Sequence, residues 1–314
     1  MKTGWNILAL TGAVALCMVM LPALAPAGGD DDTRPNGKAA GTLLNPGNGN
    51  SNAGQAKGAK PGGGTTNGIS YHGGPVMTGT VNIYYIWYGN WAGNSATTIL
   101  TDFATTLGGS PYYNINSTYY NGAGTHLSNS IHYGGAINDS YSHGTSLSDA
   151  AIQAVVVQAI NSPGGLPADT NGIYLVLTSS DVTATSGFCT QYCGWHTHAF
   201  VSTMGQIKYA FVGDPSRCPS ACEAQTTGPN GNGGADGMAS IIAHEVEEAA
   251  SDPELNAWYD TRGYENADKC AWTFGATYVA ANGALANMQL GTRDFLIQRN
   301  WVNANGGVCA LRYP

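Results

Sequence analysis

Alternating and continuous apolar stretches in the middle of the chain predict four β-strands. Residues 80–89 (TVNIYYIWYG) alternate and are rich in β-branched and aromatic side chains, which is typical of a strand. Residues 172–182 form an apolar run, which predicts a central strand buried on both faces. The stretches HTHAFV (196–201) and IKYAFVG (207–213) predict two more strands. We therefore expect this part of the chain to form a sheet.

Apolar residues at helical spacing predict three helices around these strands. The first covers 95–109 and ends at a Gly. The second covers 146–165, with Ser146 or Ser148 as its N-cap. The third follows the last strand and carries His244. This order predicts an α/β (α+β) fold, a single layered domain with a mixed sheet.

Two further features of the fold follow from the same reading. Residues 293–302 are compatible with a final helix or a final strand. A helix that carries His-Glu after the sheet also parallels the zincin-type metallopeptidases, in which the metal-binding helix follows the sheet. We therefore expect a zincin-like metal helix, although this analogy of fold does not by itself establish an activity.

The N-terminal part of the chain predicts an exported protein. Lys2 precedes an apolar run over residues 7–21, and small residues at about Ala25 or Ala27 suit signal peptidase, so residues 1–27 are predicted to be a signal peptide. Residues 28–68 are rich in Gly, Asn and Pro and lack aromatic residues, which predicts a disordered linker. The folded domain is therefore expected to span 69–314.

Charge restricts the classes of partner. The chain has 12 Lys and Arg against 20 Asp and Glu, a formal net charge of -8. Nucleic acids and anionic lipids bind basic surfaces, so we expect no nucleic-acid partner and no membrane association after signal cleavage. The remaining candidate partners are an extracellular peptide or a cell-wall polymer. We expect the protein to be a monomer.

Six cysteines remain after signal cleavage, an even number that predicts disulfides in an exported chain. They are Cys189, Cys193, Cys218, Cys222, Cys270 and Cys309. The stretches CTQYC and CPSAC suggest two local bridges, with Cys270–Cys309 as the third. Six cysteines allow 15 connectivities, so this pairing is one hypothesis among several.

The helix that contains His244 changes character along one face. Met238 and Ile242 begin an apolar stripe, but Glu245, Glu248 and Asp252 continue it, and no Lys or Arg lies between residues 237 and 256. Like charges three and four residues apart destabilise a helix by about 0.2–0.5 kcal/mol per pair even when exposed. Burial raises that cost unless a cation compensates, so the pattern favours a metal site. The alternative is a solvated acidic helix.

The stretch HEVEE (244–248) is a variant of the zinc motif HExxH. Positions i and i+4 of a helix lie one above the other, so His244 and Glu248 are candidate metal ligands and Glu245 is the candidate general base. A further ligand must come from downstream. Glu265 is favoured because its distance from the motif resembles the gluzincin pattern, and Asp268 is the next candidate. Zinc is the expected metal, and calcium is an alternative because the downstream loop is acidic.

The roles of the other histidines stay open at this point. His196 and His198 lie two residues apart on a predicted strand, hence on one face, where they could reach a metal or only pack. His72 precedes a Gly-Gly-Pro turn, which favours a structural role. The chain lacks GxSxG, so a Ser nucleophile of that type is not supported.

Four separated motifs resemble one family of secreted proteins. They are GISYHGGPVMTGTVNIYYIWYGNW (68–91), LVLTSSDVTATSGFCTQYCGWHTH (175–198), KYAFVGDPSRCPSAC (208–222) and NGNGGADGM (230–238). Together they resemble the EXORDIUM, or phosphate-induced protein 1, family, in a bacterial-type branch with a His-Glu-x-x-Glu helix. The resemblance implies an extracellular or cell-wall location, and it does not imply a settled biochemical activity.

Two functions are therefore compatible with the sequence. The leading hypothesis is a secreted EXORDIUM-like protein with a zincin-like, metal-dependent hydrolase site. In this hypothesis the protein is a zinc-dependent peptidase. The competing hypothesis is a non-catalytic extracellular or cell-wall protein with a structural metal site or none. An adjacent groove and an open coordination position would favour the enzyme, and a closed ligand shell would favour the structural site.

Overall fold

The computed structural model describes Met1 and residues 68–314. The predicted signal peptide and linker therefore lie outside the described residues, except Met1 and Gly68, and remain predictions. The strands are β1 (Ser70–Tyr71), β2 (Val81–Tyr88), β3 (Ile131–Asp139), β4 (Ser146–Leu147), β5 (Gly172–Thr178), β6 (Thr183–Ala184), β7 (Gly194–Val201), β8 (Gly205–Gly213), β9 (Trp258–Tyr259), β10 (Tyr278–Val279), β11 (Leu285–Ala286), β12 (Met288–Leu290), β13 (Arg293–Phe295), β14 (Asn300–Val302) and β15 (Val308–Ala310).

Within residues 68–314, four α-helices and three 3₁₀ turns accompany these strands. The α-helices are α1 (Ala96–Leu107), α2 (Asp149–Asn161), α3 (Pro219–Cys222) and α4 (Gly233–Ser251), and the 3₁₀ turns cover Tyr113–Thr118, Pro215–Arg217 and Asp268–Cys270. Ser148 caps α2 by accepting a hydrogen bond from the amide of Ala151 at 3.1 Å, which decides between the two predicted caps. None of the helices in residues 68–314 is both long enough and apolar enough to cross a membrane.

One mixed sheet of five strands forms the centre of the fold, in the order β3-β2-β5-β8-β7. The inner pairs are parallel, and β7 at the edge runs antiparallel to β8. All seven residues of β5 are buried, as its continuous apolar run predicts. The mixed α/β architecture and the mixed sheet expected from the sequence are confirmed.

Strand β3 was not anticipated from the apolar pattern. Its side chains alternate in exposure, but two glycines interrupt the stretch IHYGGAIND, and glycine weakens a strand signal. Both glycines have a role in the sheet: the register with β2 shifts at Ile83 and Tyr84, and a Cβ on Gly134 would meet the Tyr84 ring at 2.3 Å. Gly135 adopts a φ of +123°, which a side chain would strain.

Helix α4 packs on the sheet through β7 and β8 and is buried on nearly all sides. Glu247, on the face away from β7, is therefore buried as well, although its position did not belong to the predicted stripe. It accepts a hydrogen bond from Asn300 at 2.8 Å. The sequence predicted a helix with one buried face. In the structure the opposite face of α4 is buried as well, because the C-terminal segments pack against it.

The C-terminal segments form short hairpins rather than a helix. Strand β12 pairs with β13 and β14 pairs with β15, both antiparallel. The stretch 293–302, which the sequence left undecided, therefore contains the two strands β13 and β14. Tyr112 and Tyr119 donate hydrogen bonds to the backbone of Gln298 and Trp301, which joins these segments to the rest of the domain.

The disulfides confirm a stapled domain but correct the local pairing suggested above. The bridges are Cys189–Cys218, Cys193–Cys222 and Cys270–Cys309, with Cα separations of 5.8, 5.6 and 5.5 Å. The two CxxxC stretches lie side by side and are joined to each other twice. Cys218 and Cys222 lie one helical turn apart at α3, so their side chains point in parallel and each bonds across to the neighbouring segment.

Peptide mapping should recover these cross-links from the oxidised protein. We expect non-reducing digestion to join a peptide with Cys189 to one with Cys218, because these two sulfurs are bonded to each other in the folded protein. Breaking either cross-link by Cys→Ser substitution should cost about 2–4 kcal/mol of stability, since each closes a loop of 29 residues. Recovery of a peptide bridged between Cys189 and Cys193 would contradict the arrangement.

Candidate metal centre

Helix α4 carries most of the site, and its ends are built from short polar side chains. Asn232 caps the N-terminus by accepting a hydrogen bond from the amide of Ala235 at 3.1 Å. At the C-terminus, Asp252 accepts backbone hydrogen bonds from Asn256 at 2.6 Å and Ala257 at 2.7 Å. Asp252, a predicted member of the acidic stripe, therefore turns the chain back along the helix and does not belong to the metal-ligand groups described next.

One group of possible ligands surrounds His244. Its Nε2 lies 2.9 Å from Oε1 of Glu248, one helical turn further on, and 3.5 Å from Oδ1 of Asp268. The amide of Asp268 also donates to Glu248 Oε1 at 3.0 Å. The side chains are 1%, 0% and 2% exposed, respectively. The structure thus joins the predicted helix pair to the second of the two predicted downstream ligands.

A second group surrounds His196 on β7. Its Nε2 lies 3.2 Å from Oε2 of Glu265, 3.3 Å from Oε1 of Glu265, and 3.7 Å from Oε2 of Glu248. His196 is fully buried. Glu265, the favoured third ligand, therefore lies closest to a histidine whose role the sequence had left open.

A glycine allows β7 to approach α4 closely enough for this arrangement. A Cβ on Gly194 would meet Cγ2 of Ile241 at 2.6 Å and Oε1 of Glu245 at 3.1 Å. Two residues later on the same face of the strand, His196 reaches Glu248. One sequence signal could have identified His196 as a candidate ligand. It is the Gly-x-His spacing of Gly194 and His196 on a predicted strand that precedes the acidic helix.

His198 shares that face of β7 but lies outside both groups. It is only partly buried and contacts the side-chain amide of Gln206. Burial lowers its pKa first, with Lys208 acting in the same direction and Glu254 opposing it. His72 stacks on Tyr259 with ring centroids 3.7 Å apart, which supports its structural role.

The donors present fit a divalent metal ion. In each of the two groups the ligand atoms all lie within 4.8 Å of one another. Ligands at about 2.0–2.2 Å from a zinc ion are separated by up to about 4.4 Å, so spacings of 2.9–3.7 Å suit a shared ion. Imidazole nitrogens with carboxylate oxygens are an ordinary zinc set.

Several polar atoms of the cluster have unmet bonding capacity. Among the described residues, neither carboxylate oxygen of Glu245, nor Oε2 of Glu248, nor Nε2 of His244 has a hydrogen-bond partner of good geometry. All three residues are buried. Buried polar groups are nearly always satisfied, so these atoms point to a species that would bind them.

Burial shifts the pKa of most groups of the cluster when no cation is bound. It raises the pKa of Glu265 well above its ordinary value, and the carboxylate of Glu248 raises it further. Burial also raises the pKa of Glu245, and that of Glu248 to about 7. For His196, burial and then the nearby His244 lower the pKa to about 3. The His196 imidazole is therefore neutral, which is the form that binds metals.

A groove reaches the other side of His244. The groove is narrow, and its lining includes Ile241, His244, Trp272, Phe274 and Gln298. The amide of Gln298 contacts Nδ1 of His244, opposite the nitrogen that faces Glu248. A hydrogen bond to the second ring nitrogen orients a metal-binding histidine. The sequence offered no signal for this groove, because its walls come from distant segments.

Two other acidic residues downstream of the helix, Glu254 and Asp260, lie outside the cluster. Asp260 forms an ion pair with Lys269 at 3.0 Å and accepts the amide hydrogens of Arg262 and Tyr264. This loop residue therefore organises the turn before Glu265. Neither Asp260 nor Glu254 belongs to either ligand group.

Stability of the metal-free protein should fall as pH rises from about 5 to about 7. Burial raises the pKa of Asp252 to about 7 and that of Asp236 to about 6, so the folded state binds more protons than the unfolded state in this range. The free energy of unfolding then declines by about 1.4 kcal/mol per pH unit for each proton of difference.

Urea unfolding of chelated protein at several pH values measures this slope. Asp236→Asn should reduce it, because the amide does not titrate. Stability that instead increases with pH between 5 and 7 would contradict the raised pKa values.

Comparison with known proteins supports the resemblance seen in the motifs. The family model described as phosphate-induced protein 1 conserved region matches residues 69–295. Protein EXORDIUM-like 5 of Arabidopsis thaliana is 35% identical over 77% of this chain and 77% of its own length, and Protein EXORDIUM-like 3 of the same plant is 33% identical over 74% and 80%.

Protein PHOSPHATE-INDUCED 1 of Nicotiana tabacum is more distant, at 28% identity over 61% of this chain and 67% of its own. No solved structure matches the chain significantly. The family model covers most of the described residues, and it includes every residue of the two ligand groups. The chain therefore belongs to the phosphate-induced protein 1 family, that of the EXORDIUM-like proteins.

Proposed function

We propose that this EXORDIUM-like protein is a secreted, zincin-like, metal-dependent hydrolase whose substrates are peptides. His244, Glu248 and Asp268 would hold a divalent cation, with zinc as the expected metal. The observation that carries the proposal is Glu245: a fully buried carboxylate next to His244 whose two oxygens have no hydrogen-bond partner among the described residues. A general base needs such a carboxylate with free lone pairs.

The roles of the side chains follow from their positions. When bound, zinc supplies Lewis acidity, which acidifies water and polarises a carbonyl group. Glu245 accepts the proton of the attacking water and returns it to the leaving nitrogen. Burial raises the pKa of Glu245, which makes its carboxylate a stronger base.

The distances favour Asp268 over Glu265 as the third ligand beside His244. Asp268 Oδ1 lies 3.5 Å from Nε2 of His244, and Glu265 lies with His196 instead. In this ligand set Glu248 takes the place of the second imidazole of HExxH. One imidazole and two carboxylates therefore carry one more negative charge than two imidazoles and one carboxylate. This ligand set lowers the pKa of water less, which places more of the catalytic work on Glu245.

The surroundings of the site suit an extended peptide. Strand β7 is the terminal strand of the five-stranded sheet and packs on α4, so it could accept an added strand. The groove at His244 has apolar walls that include Ile241, Trp272 and Phe274. A cell-wall polymer remains the alternative substrate.

Secretion is part of the same proposal. The described domain contains three disulfides, and these persist in oxidising compartments outside the cytoplasm. The pattern of residues 1–27 suits a signal peptide.

A structural, non-catalytic metal site is the second candidate, and burial favours it. His244, Glu248 and Glu265 are each at most 1% exposed, so water reaches the cluster poorly. Structural metal sites have closed ligand shells, whereas catalytic sites keep an open position. Calcium is the alternative cation here, since carboxylate oxygens are its preferred ligands.

A peptide library distinguishes the two candidates. Zinc-loaded protein incubated with a diverse mixture of peptides should produce new N-termini that mass spectrometry detects. The matched control is Glu245→Gln, which keeps the side-chain shape and removes the base. Cleavage by the wild-type protein alone supports the hydrolase. Metal binding without cleavage would contradict the hydrolase and leave the structural site.

A further inference from the structure

We propose that the cluster holds two divalent cations rather than one, and that Glu248 bridges them. The first would be bound by His244, Glu248 and Asp268, and the second by His196, Glu248 and Glu265. This inference rests on the proposed function for the first ion and adds the second ion, its ligands and the bridging role of Glu248.

The donors separate into two sets. His244, Glu248 and Asp268 form one group within 4.8 Å, and His196, Glu248 and Glu265 form the other. Two donors on one ion at about 2.0–2.2 Å cannot be more than about 4.4 Å apart. The five side chains do not form one such group, so a single ion would leave two of them, including a histidine, without a role.

Glu248 presents a different oxygen to each set. Its Oε1 lies 2.9 Å from Nε2 of His244, whereas its Oε2 lies 3.7 Å from Nε2 of His196. Oε2 is buried and has no hydrogen-bond partner of good geometry among the described residues. A carboxylate whose two oxygens face two different imidazoles is the arrangement of a bridging ligand.

The charge of the cluster is compatible with two ions. Glu245, Glu248, Glu265 and Asp268 place four carboxylates around two imidazoles, and the three glutamates are at most 1% exposed. Two divalent cations balance four ionised carboxylates, and one cation leaves two negative charges uncompensated. Uncompensated buried charge is costly, so either the second ion or two retained protons must neutralise it.

A second ion would extend the chemistry of the site. Paired cations hold the attacking and the departing oxygen or nitrogen of a hydrolysed group at the same time. His196 would then be part of the metal centre rather than a packing residue of β7. The edge strand that we propose to hold a peptide would thereby also hold one of the two ions.

Metal stoichiometry tests the inference directly. The full mature chain is loaded with excess Mn²⁺ or Zn²⁺, freed of unbound metal by gel filtration, and measured by elemental mass spectrometry. We expect two ions per chain. One ion per chain would overturn the bridged pair and leave the proposed function intact, whereas no bound ion would overturn both.

Variants and spectroscopy locate the ions. His196→Gln and Asp268→Asn should each retain one ion, and the control Glu247→Gln, at an equally buried position of the same helix, should retain two. Two Mn²⁺ ions that share Glu248 should couple magnetically, and His196→Gln should restore the electron paramagnetic resonance spectrum of an isolated ion. Two uncoupled ions in the wild-type protein would overturn the bridge, even if a variant failed to fold.

Discussion

Removal of divalent metal by a chelator is expected to lower the melting temperature of this protein by about 10 °C. A cation that binds only the folded state stabilises it by about 4 kcal/mol when its free concentration is 1,000 times its dissociation constant. For a domain of this size, each kcal/mol corresponds to about 2–4 °C. Chelation also leaves the carboxyl groups of Glu248 and Glu265 buried without the cation, and burial then raises their pKa and favours the neutral form.

Differential scanning calorimetry with and without a chelator measures this shift. Glu247→Gln is the matched control, because Glu247 is buried on the same helix but binds Asn300 rather than the cluster, and it should keep the shift. His244→Ala should lose most of it. A melting temperature that is identical with and without chelator in the wild-type protein would remove the metal hypothesis.

Glu245→Gln should abolish peptide hydrolysis and leave the metal content nearly unchanged. General-base catalysis contributes about 100-fold to 10,000-fold to a rate, and the amide cannot accept the proton. His244→Ala should instead lower metal content, because it deletes the imidazole whose Nε2 lies 2.9 Å from Glu248. The two neighbouring substitutions are therefore expected to separate catalysis from binding.

Elemental analysis and the rate of cleavage of one selected peptide, measured on the same preparations, test this separation. Glu247→Gln should leave both quantities close to those of the wild-type protein. If Glu245→Gln lost metal as completely as His244→Ala, Glu245 would be a ligand and the proposed proton transfer would be wrong. Full hydrolytic activity in Glu245→Gln would also exclude it as the base.

The apolar pattern predicted the helices and central strands of the described domain well, because each of these elements satisfies a local period. Strand β2 and helix α1 lie within the predicted ranges 80–89 and 95–109. Local periodicity was less informative where glycine interrupts it, as in β3, or where strands are only two or three residues long, as at the C-terminus. These elements depend on pairing partners that are distant in sequence.

The disulfides also combine a feature that the sequence predicts with one that depends on the tertiary structure. An even number of cysteines in an exported chain predicted that they would pair, and this is a matter of composition and compartment. Which cysteine bonds to which depends on the path of the chain. The CxxxC stretches are neighbours only because β7 and β8 form a hairpin that brings Cys193 beside Cys222.

The sequence by itself determined the pairing of His244 with Glu248, because one helical turn places residues four apart on the same face. Tertiary structure alone decided that His196 joins them and that Asp268 and Glu265 serve different histidines. Those contacts depend on β7 lying at the sheet edge against α4 and on the path of the loop after Asp252. Neither is encoded in any local period, since both result from packing between segments that are far apart in the chain.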